Sequence, residues 1–218
     1  MNASRRRLVV LGTLLLASAG ACALVAVRIL HTGSPTSLYL VWNLFLAWVP
    51  FVFALLAYGY ARRAWTVAAL GLGWLLFFPN APYIGTDFVH LQDNSLAPFW
   101  YDVLTIGAFA LTGFALGFAS LYLMQAVVRR ELGVLASWVV VVGASALAGV
   151  GIYLGRVLRA NSWDVLTNPH LFARLARIRL ADPLGNPKLL AVTALFTFVI
   201  VVGYAAVYAV ARPLIEER

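Results

Sequence analysis

Long apolar runs separated by short clusters of arginine, proline and aspartate are the dominant pattern of this chain. Leu8 to about Leu30 follows Arg5, Arg6 and Arg7. At about 1.5 Å per residue it is long enough to cross a hydrocarbon layer about 30 Å thick. A cleaved signal peptide is the rival reading, because Ala17, Ala19 and the Ala-Gly-Ala-Cys ending at Cys22 resemble a cleavage site or lipobox. The apolar run continues past that point through Leu24–Val27, which favours a retained helix.

A second run, Leu38 to Tyr60, has Pro50 at its centre, where the missing donor frees the Leu46 carbonyl and predicts a kink; Arg62 and Arg63 close it. A third begins at Ala64 but meets Pro79 and Pro82 after about 15 residues, roughly 23 Å of rise, which is short for a full crossing. Trp100 to Val128 is the fourth and ends in Arg129 and Arg130. The fifth, Leu132 to about Leu158, carries Gly143, Ala144, Gly149, Gly151 and Gly155, small residues that let helix backbones approach closely. The last, Leu189 to Ala211, precedes Arg212 and Pro213. Before it, Asn168-Pro169 reads as an N-cap and first helical position, with Leu171, Phe172, Leu175 and Ile178 set opposite Arg174 and Arg177. The pattern therefore predicts an all-α membrane protein: a six-helix transmembrane bundle with a broken third helix and a short interfacial amphipathic helix before helix six. Residues 1–218 form a single polytopic domain in this reading.

Composition sharpens that picture. Hydrophobic residues make up 63% and charged residues 11%, with a mean hydropathy of +0.89, against about 45–50% and about 25% in soluble domains. A water-soluble fold is excluded, and lipid must cover what polar surface cannot. The single cysteine, Cys22, leaves no disulfide framework and no multi-cysteine metal site. A net charge of +8 would suit nucleic acid, but the basic residues flank apolar spans instead of forming a solvated stripe with interleaved aromatics. They read as topology signals, and no nucleic-acid partner is expected.

With the amino terminus in the cytoplasm, Arg5, Arg6, Arg7, Arg62, Arg63, Arg129, Arg130, Arg212 and Arg218 all fall on the cytoplasmic side. The localisation expected is a bacterial inner membrane, with both termini cytoplasmic. The fifth loop runs against this rule, since Arg156, Arg159, Arg174, Arg177, Arg179 and Lys188 are then external. Local pairing with Asp87, Asp93, Asp102, Asp164 and Asp182 on the same side is one explanation, and a re-entrant turn is the other. The tryptophans Trp42, Trp48, Trp65, Trp74, Trp100 and Trp138 read as headgroup-level anchors, and Asp102 as favourable charge at a helix amino end.

The most informative stretch is Phe78 to Leu91. Pro79 and Pro82 deprive the Leu75 and Phe78 carbonyls of their helical donors, and backbone groups freed at membrane depth need another polar partner. A new short helix starting near Gly85 or Thr86 would put Asp87 and His90, three apart, on one face. Arg156 and Arg159 are likewise three apart at the end of helix five, with Trp163 and Asp164 beyond. Topology brings both groups to one side of the membrane, where intramembrane charges rarely stay unpaired. One reading is a structural salt-bridge and hydrogen-bond network. The other is a pocket with Asp87 and His90 as acid–base residues, and Arg156, Arg159, Asn80, Trp163 and Asp164 as anion- or lipid-binding residues. Metal binding by His31, His90, His170 and Asp87 is a third possibility, but the loop histidines His31 and His170 have no ligand-type spacing, so no metal is predicted.

Pro79-Asn80-Ala81-Pro82-Tyr83, Thr86-Asp87 through Leu91, Trp100-Tyr101-Asp102, Gly151-Ile152-Tyr153-Leu154-Gly155-Arg156 through Arg159, and Asn161-Ser162-Trp163-Asp164 resemble the signature blocks of a bacterial membrane family, domain of unknown function 1361. The resemblance spans most of the chain from helix two to helix six. It implies a multi-pass bacterial membrane protein and implies no activity.

Three functions remain open on the residues. One is a non-catalytic membrane protein whose outer-face polar cluster is structural or docks an anionic lipid or partner. The second is an enzyme acting on lipid-linked or envelope substrates. The third is a transporter, suggested by the kinked second and broken third helices. The lipid bilayer is the expected partner, with an anionic lipid or lipid-linked substrate as the expected ligand. No cofactor is named by any motif.

Overall fold

The computed structural model describes residues 3–60, 63–91, 96–158, 167, 169–170, 173–174, 177, 181 and 185–211. Among these, all regular structure is helical. Helix α1 (Ala3–Thr32) runs unbroken past Cys22. It ends where Gly33 takes a positive φ of 67° and returns its N–H to the Ile29 carbonyl at 2.8 Å, the left-handed cap that glycine adopts without a Cβ penalty. Helix α2 (Leu38–Tyr60) keeps Pro50 inside it, buried. Helix α3 (Ala64–Phe77) gives way to a single α-turn, α4 (Asn80–Tyr83), and then to a 3₁₀ helix, Ile84–His90. Helix α5 follows (Phe99–Leu158), and α6 is Pro187–Ala211.

Among the described residues, five helical stretches are long and apolar enough to cross a membrane: Leu8–Thr32, Leu38–Tyr60, Ala64–His90, Phe99–Arg156 and Pro187–Val210. The third corrects the expectation of a span too short to cross. After the prolines the path stays helical through α4 and the 3₁₀ turns, so the broken stretch totals 27 residues. The fourth is too long for one crossing, since the 60 residues of α5 that contain it would extend about 90 Å as a single rod. It breaks at Gly133, at φ 87° and ψ 178°. The two arms then return to the same neighbour: a Cβ on Gly117 would sit 3.2 Å from Ala81 Cβ, and one on Gly151 would sit 2.8 Å from Pro79 Cγ. Gln125 and Trp138, on opposite arms, both meet Tyr204 of α6. Helix α5 is therefore a hairpin folded at Gly133.

Among the described residues, two large apolar clusters and a small third one of Tyr153, Leu154 and Leu189 hold the bundle. One large cluster joins Leu14, Val25, Leu44, Phe51, Ile84 and Phe109 from α1, α2, the 3₁₀ helix and the first arm of α5. The other joins Ala57, Trp74, Leu121, Val141, Ile200 and Tyr204 from α2, α3, both arms and α6. Small residues set the spacing where expected at Gly149, whose Cβ would lie 2.8 Å from the Thr193 carbonyl oxygen, but Gly143 faces open space. Leu15, Leu16, Leu30, Leu111, Leu135 and Val210 point outward and exposed, a surface that only hydrocarbon solvates without cost. In the segment expected as an interfacial amphipathic helix, Thr167, Pro169, His170, Ala173, Arg174 and Arg177 are helical and exposed. Its expected apolar face, Leu171, Phe172, Leu175 and Ile178, lies outside the described residues.

Candidate functional site

The prolines between α3 and the 3₁₀ helix create the local geometry. The Phe78 carbonyl, which has lost its usual partner at Pro82, accepts from the Ala81 N–H at 3.2 Å, and Asn80 Nδ2 donates to the Phe77 carbonyl at 2.9 Å. The carbonyls of Phe77 and Phe78 at the break are thus met by one side-chain amide and a tighter backbone turn. Thr86 Oγ1 donates back to the Tyr83 carbonyl at 2.7 Å. Because a 3₁₀ helix has about three residues per turn, positions three apart eclipse. Asp87 and His90 accordingly share a face, and that face lies along α2.

There the two helices run antiparallel and match side chain to side chain. Asn43 Nδ2 donates to Asp87 Oδ2 at 2.9 Å, and one turn earlier on α2 the Tyr39 ring meets the His90 ring edge-on at 5.3 Å between centroids. Asp87 is 1% exposed, whereas His90 is exposed. The face is shared but the depth is not.

Arg156, near the end of α5, completes the arrangement. Its Nη1 lies 3.4 Å from Asp87 Oδ1, its Nη2 donates to the Thr86 carbonyl at 3.1 Å, and its Cζ lies 5.9 Å from the Tyr83 ring centroid. Each Asp87 oxygen thus has one donor, from α2 and from α5. A buried carboxylate held this way is neutralised and solvated by protein in place of water.

A second ion pair lies at the same end of the bundle. Arg28 Nε sits 2.7 Å from Asp102 Oδ1 and its Nη2 3.4 Å from Oδ2, both side chains largely buried. Tyr101 donates its hydroxyl to the Leu24 carbonyl at 2.8 Å, one turn earlier on α1. The adjacent Tyr101 and Asp102 therefore staple α1 to the start of α5. This replaces the reading of Asp102 as helix-end charge alone.

Of the residues singled out in the sequence, the structure brings Asp87 and Arg156 into contact, keeps His90 beside them but outward, and gives Asn80 a backbone-capping bond. Arg159, Trp163 and Asp164 lie outside the described residues. Among the described residues no group of three or more His, Cys, Asp or Glu side chains gathers in a metal-holding arrangement. Sequence reasoning passed over Asn43, Tyr39 and the Arg28–Asp102 pair. Asn43 did leave a signal, as the one carboxamide inside the apolar run of α2.

The family described as "Protein of unknown function (DUF1361)" matches residues 42–202, and the chain belongs to it. Neither the curated proteins nor the solved structures contain a match. The matched region includes Asn43, Asp87, Asp102 and Arg156, while Arg28 on α1 lies before it.

Proposed function

We propose that this member of the family is a bacterial inner-membrane protein of six crossings, and that its outer-face polar cluster is an interhelical lock in which Asp87 acts as a buried structural counter-ion. The six crossings are supported by the Gly133 hairpin, which divides the longest helical stretch into two arms. With both termini cytoplasmic, Arg63, Arg129 and Arg130 lie at the inner end, opposite Asp87 and Arg156. The two ion pairs support local neutralisation as the reason why external arginines do not overturn the positive-inside rule.

The observation that carries the lock is the occupancy of Asp87. With each oxygen accepting from a protein donor and 1% of the residue exposed, the carboxylate is engaged by protein and screened from substrate and water. Thermal unfolding of the purified protein separates the two roles. Arg156→Ala lowers stability strongly, whereas His90→Ala, an exposed change, moves it by less than about 0.5 kcal/mol. Equal stability of both variants with wild type would defeat the lock and return Asp87 and His90 to the acid–base reading. A second reading, contact with anionic lipid headgroups, is favoured by the exposure of Arg174, Arg177 and Lys188 on the outer side.

A further inference from the structure

The Asp87 lock leaves unused a second polar feature at the same end of the bundle. A crevice of about 390 Å³ opens among the last turn of α1, the start of α2, the 3₁₀ helix and the first turns of α5. That volume falls within the roughly 300–1,000 Å³ of small-molecule sites. It is lined by the hydroxyl-bearing Ser34, Thr36, Ser37, Tyr39 and Thr105, together with His90 and the Arg28–Asp102 pair; Arg28 Nη1 also donates to Thr36 Oγ1 at 3.3 Å and to Ser37 Oγ at 3.4 Å.

Thr105 is the residue that points to a ligand. It is 1% exposed, and its Oγ1 has no hydrogen-bond partner. Several helical threonines turn their hydroxyl back to the carbonyl four residues earlier, as Thr32 does to Arg28 at 2.8 Å and Thr112 to Ala108 at 2.7 Å, whereas Thr105 and Thr193 leave theirs unpartnered, and of these two Thr105 lines the crevice. A buried hydroxyl without a partner is costly to keep, and an occupant able to hydrogen-bond removes that cost.

The charge pattern then selects the chemistry. Arg28 and Asp102 face each other as a fork of two contacts, 2.7 and 3.4 Å, and cancel in charge. An incoming phosphate would meet the Asp102 carboxylate and an incoming ammonium the Arg28 guanidinium, so neither ion gains a surplus of opposite charge. Hydroxyl groups both donate and accept, and among the described residues a lining of five of them beside His90, one guanidinium and one carboxylate is matched by a ligand whose own groups both donate and accept. We infer that this crevice binds a neutral polyhydroxylated group, a sugar or polyol, carried by a glycolipid headgroup or free in solution. The inference is independent of the Asp87 lock, because no residue named for hydrogen bonding in it belongs to that network.

The test uses full-length protein in phosphatidylcholine nanodiscs, as wild type and as Thr105→Val, a change close in shape that removes only an unpartnered hydroxyl. Three probes are compared: glucose in solution, nanodiscs doped with monoglucosyl diacylglycerol, and nanodiscs doped with phosphatidylglycerol. Bound lipid is read by native mass spectrometry and sugar by thermal shift. Wild type retains the glucosyl lipid over phosphatidylglycerol, and Thr105→Val binds it roughly three- to tenfold more weakly, the worth of one hydrogen bond, at a ligand-free stability equal to or above that of wild type. A glucose-induced shift that Thr105→Val loses assigns the ligand to solution, and retention only with the diacylglycerol anchor assigns it to lipid. Preference for phosphatidylglycerol, binding of no probe, or equal binding by Thr105→Val overturns the inference. Failure of Arg156→Ala to destabilise would sink the lock and leave this comparison readable.

Discussion

Removing the Arg156 guanidinium tests whether burial of Asp87 depends on its partner. At 3.4 Å, two unit charges in an effective dielectric of about 20 attract by about 5 kcal/mol. Part of this is offset in the intact protein by the desolvation of Arg156, whose side chain is 25% exposed. The net loss in Arg156→Ala is therefore set at about 3 kcal/mol, the lower end of what breaking a buried pair costs when a charge is left behind. On the scale of soluble chains of this size, that lowers Tm by about 6–12 °C. Tryptophan fluorescence during heating in detergent reads the change. The companion variant Asp87→Asn/Arg156→Met removes both charges and recovers at least half of the loss, because no unpaired carboxylate remains. A Tm for Arg156→Ala within 2 °C of wild type, or a double variant no better than the single one, would refute the reasoning.

Other expectations follow from the same geometry. Asn43→Leu strips the second donor from Asp87 and costs about 1.5–3 kcal/mol, as befits a hydrogen bond to a charged group; chemical unfolding checks it. Gly113→Ala would bring a Cβ to 2.6 Å from the Ala81 carbonyl oxygen and lose about 1–3 kcal/mol by overpacking, while Gly143→Ala, with nothing within 4 Å, is neutral or up to about 1 kcal/mol stabilising. Single cysteines at positions 34 and 188 in a Cys22→Ala background react with an impermeant maleimide from outside the cell, and those at 63 and 131 do not. The reverse pattern would contradict the orientation, and labels at 34 and 188 from opposite sides would contradict the six crossings.

How much of this was legible in the sequence depended on the kind of signal each feature leaves. The apolar runs gave the helices because lipid demands about 20 apolar residues per crossing and writes that demand into composition. The meeting of Asp87 and Arg156 followed from counting crossings between them. The third span was underestimated because the prolines were read as an end. In fact Pro79 and Pro82 fall within a path that stays helical by tightening to 3₁₀, and Asn80 covers a carbonyl that the tightening exposes. Trp74, expected at the headgroup level, is instead 2% exposed and donates to Ser120 Oγ at 3.3 Å, since a ring near a helix end is as able to pack inward as to sit at the interface. The Arg28–Asp102 pair left the weakest trace. Its partners are separated by 74 positions, and Asp102 has a sufficient local explanation as helix-start charge. Only packing of α1 against the first arm of α5 brings them within 2.7 Å. The consequence reaches the crevice: Arg28 and Asp102 face each other there as a matched pair, beside hydroxyl-bearing residues.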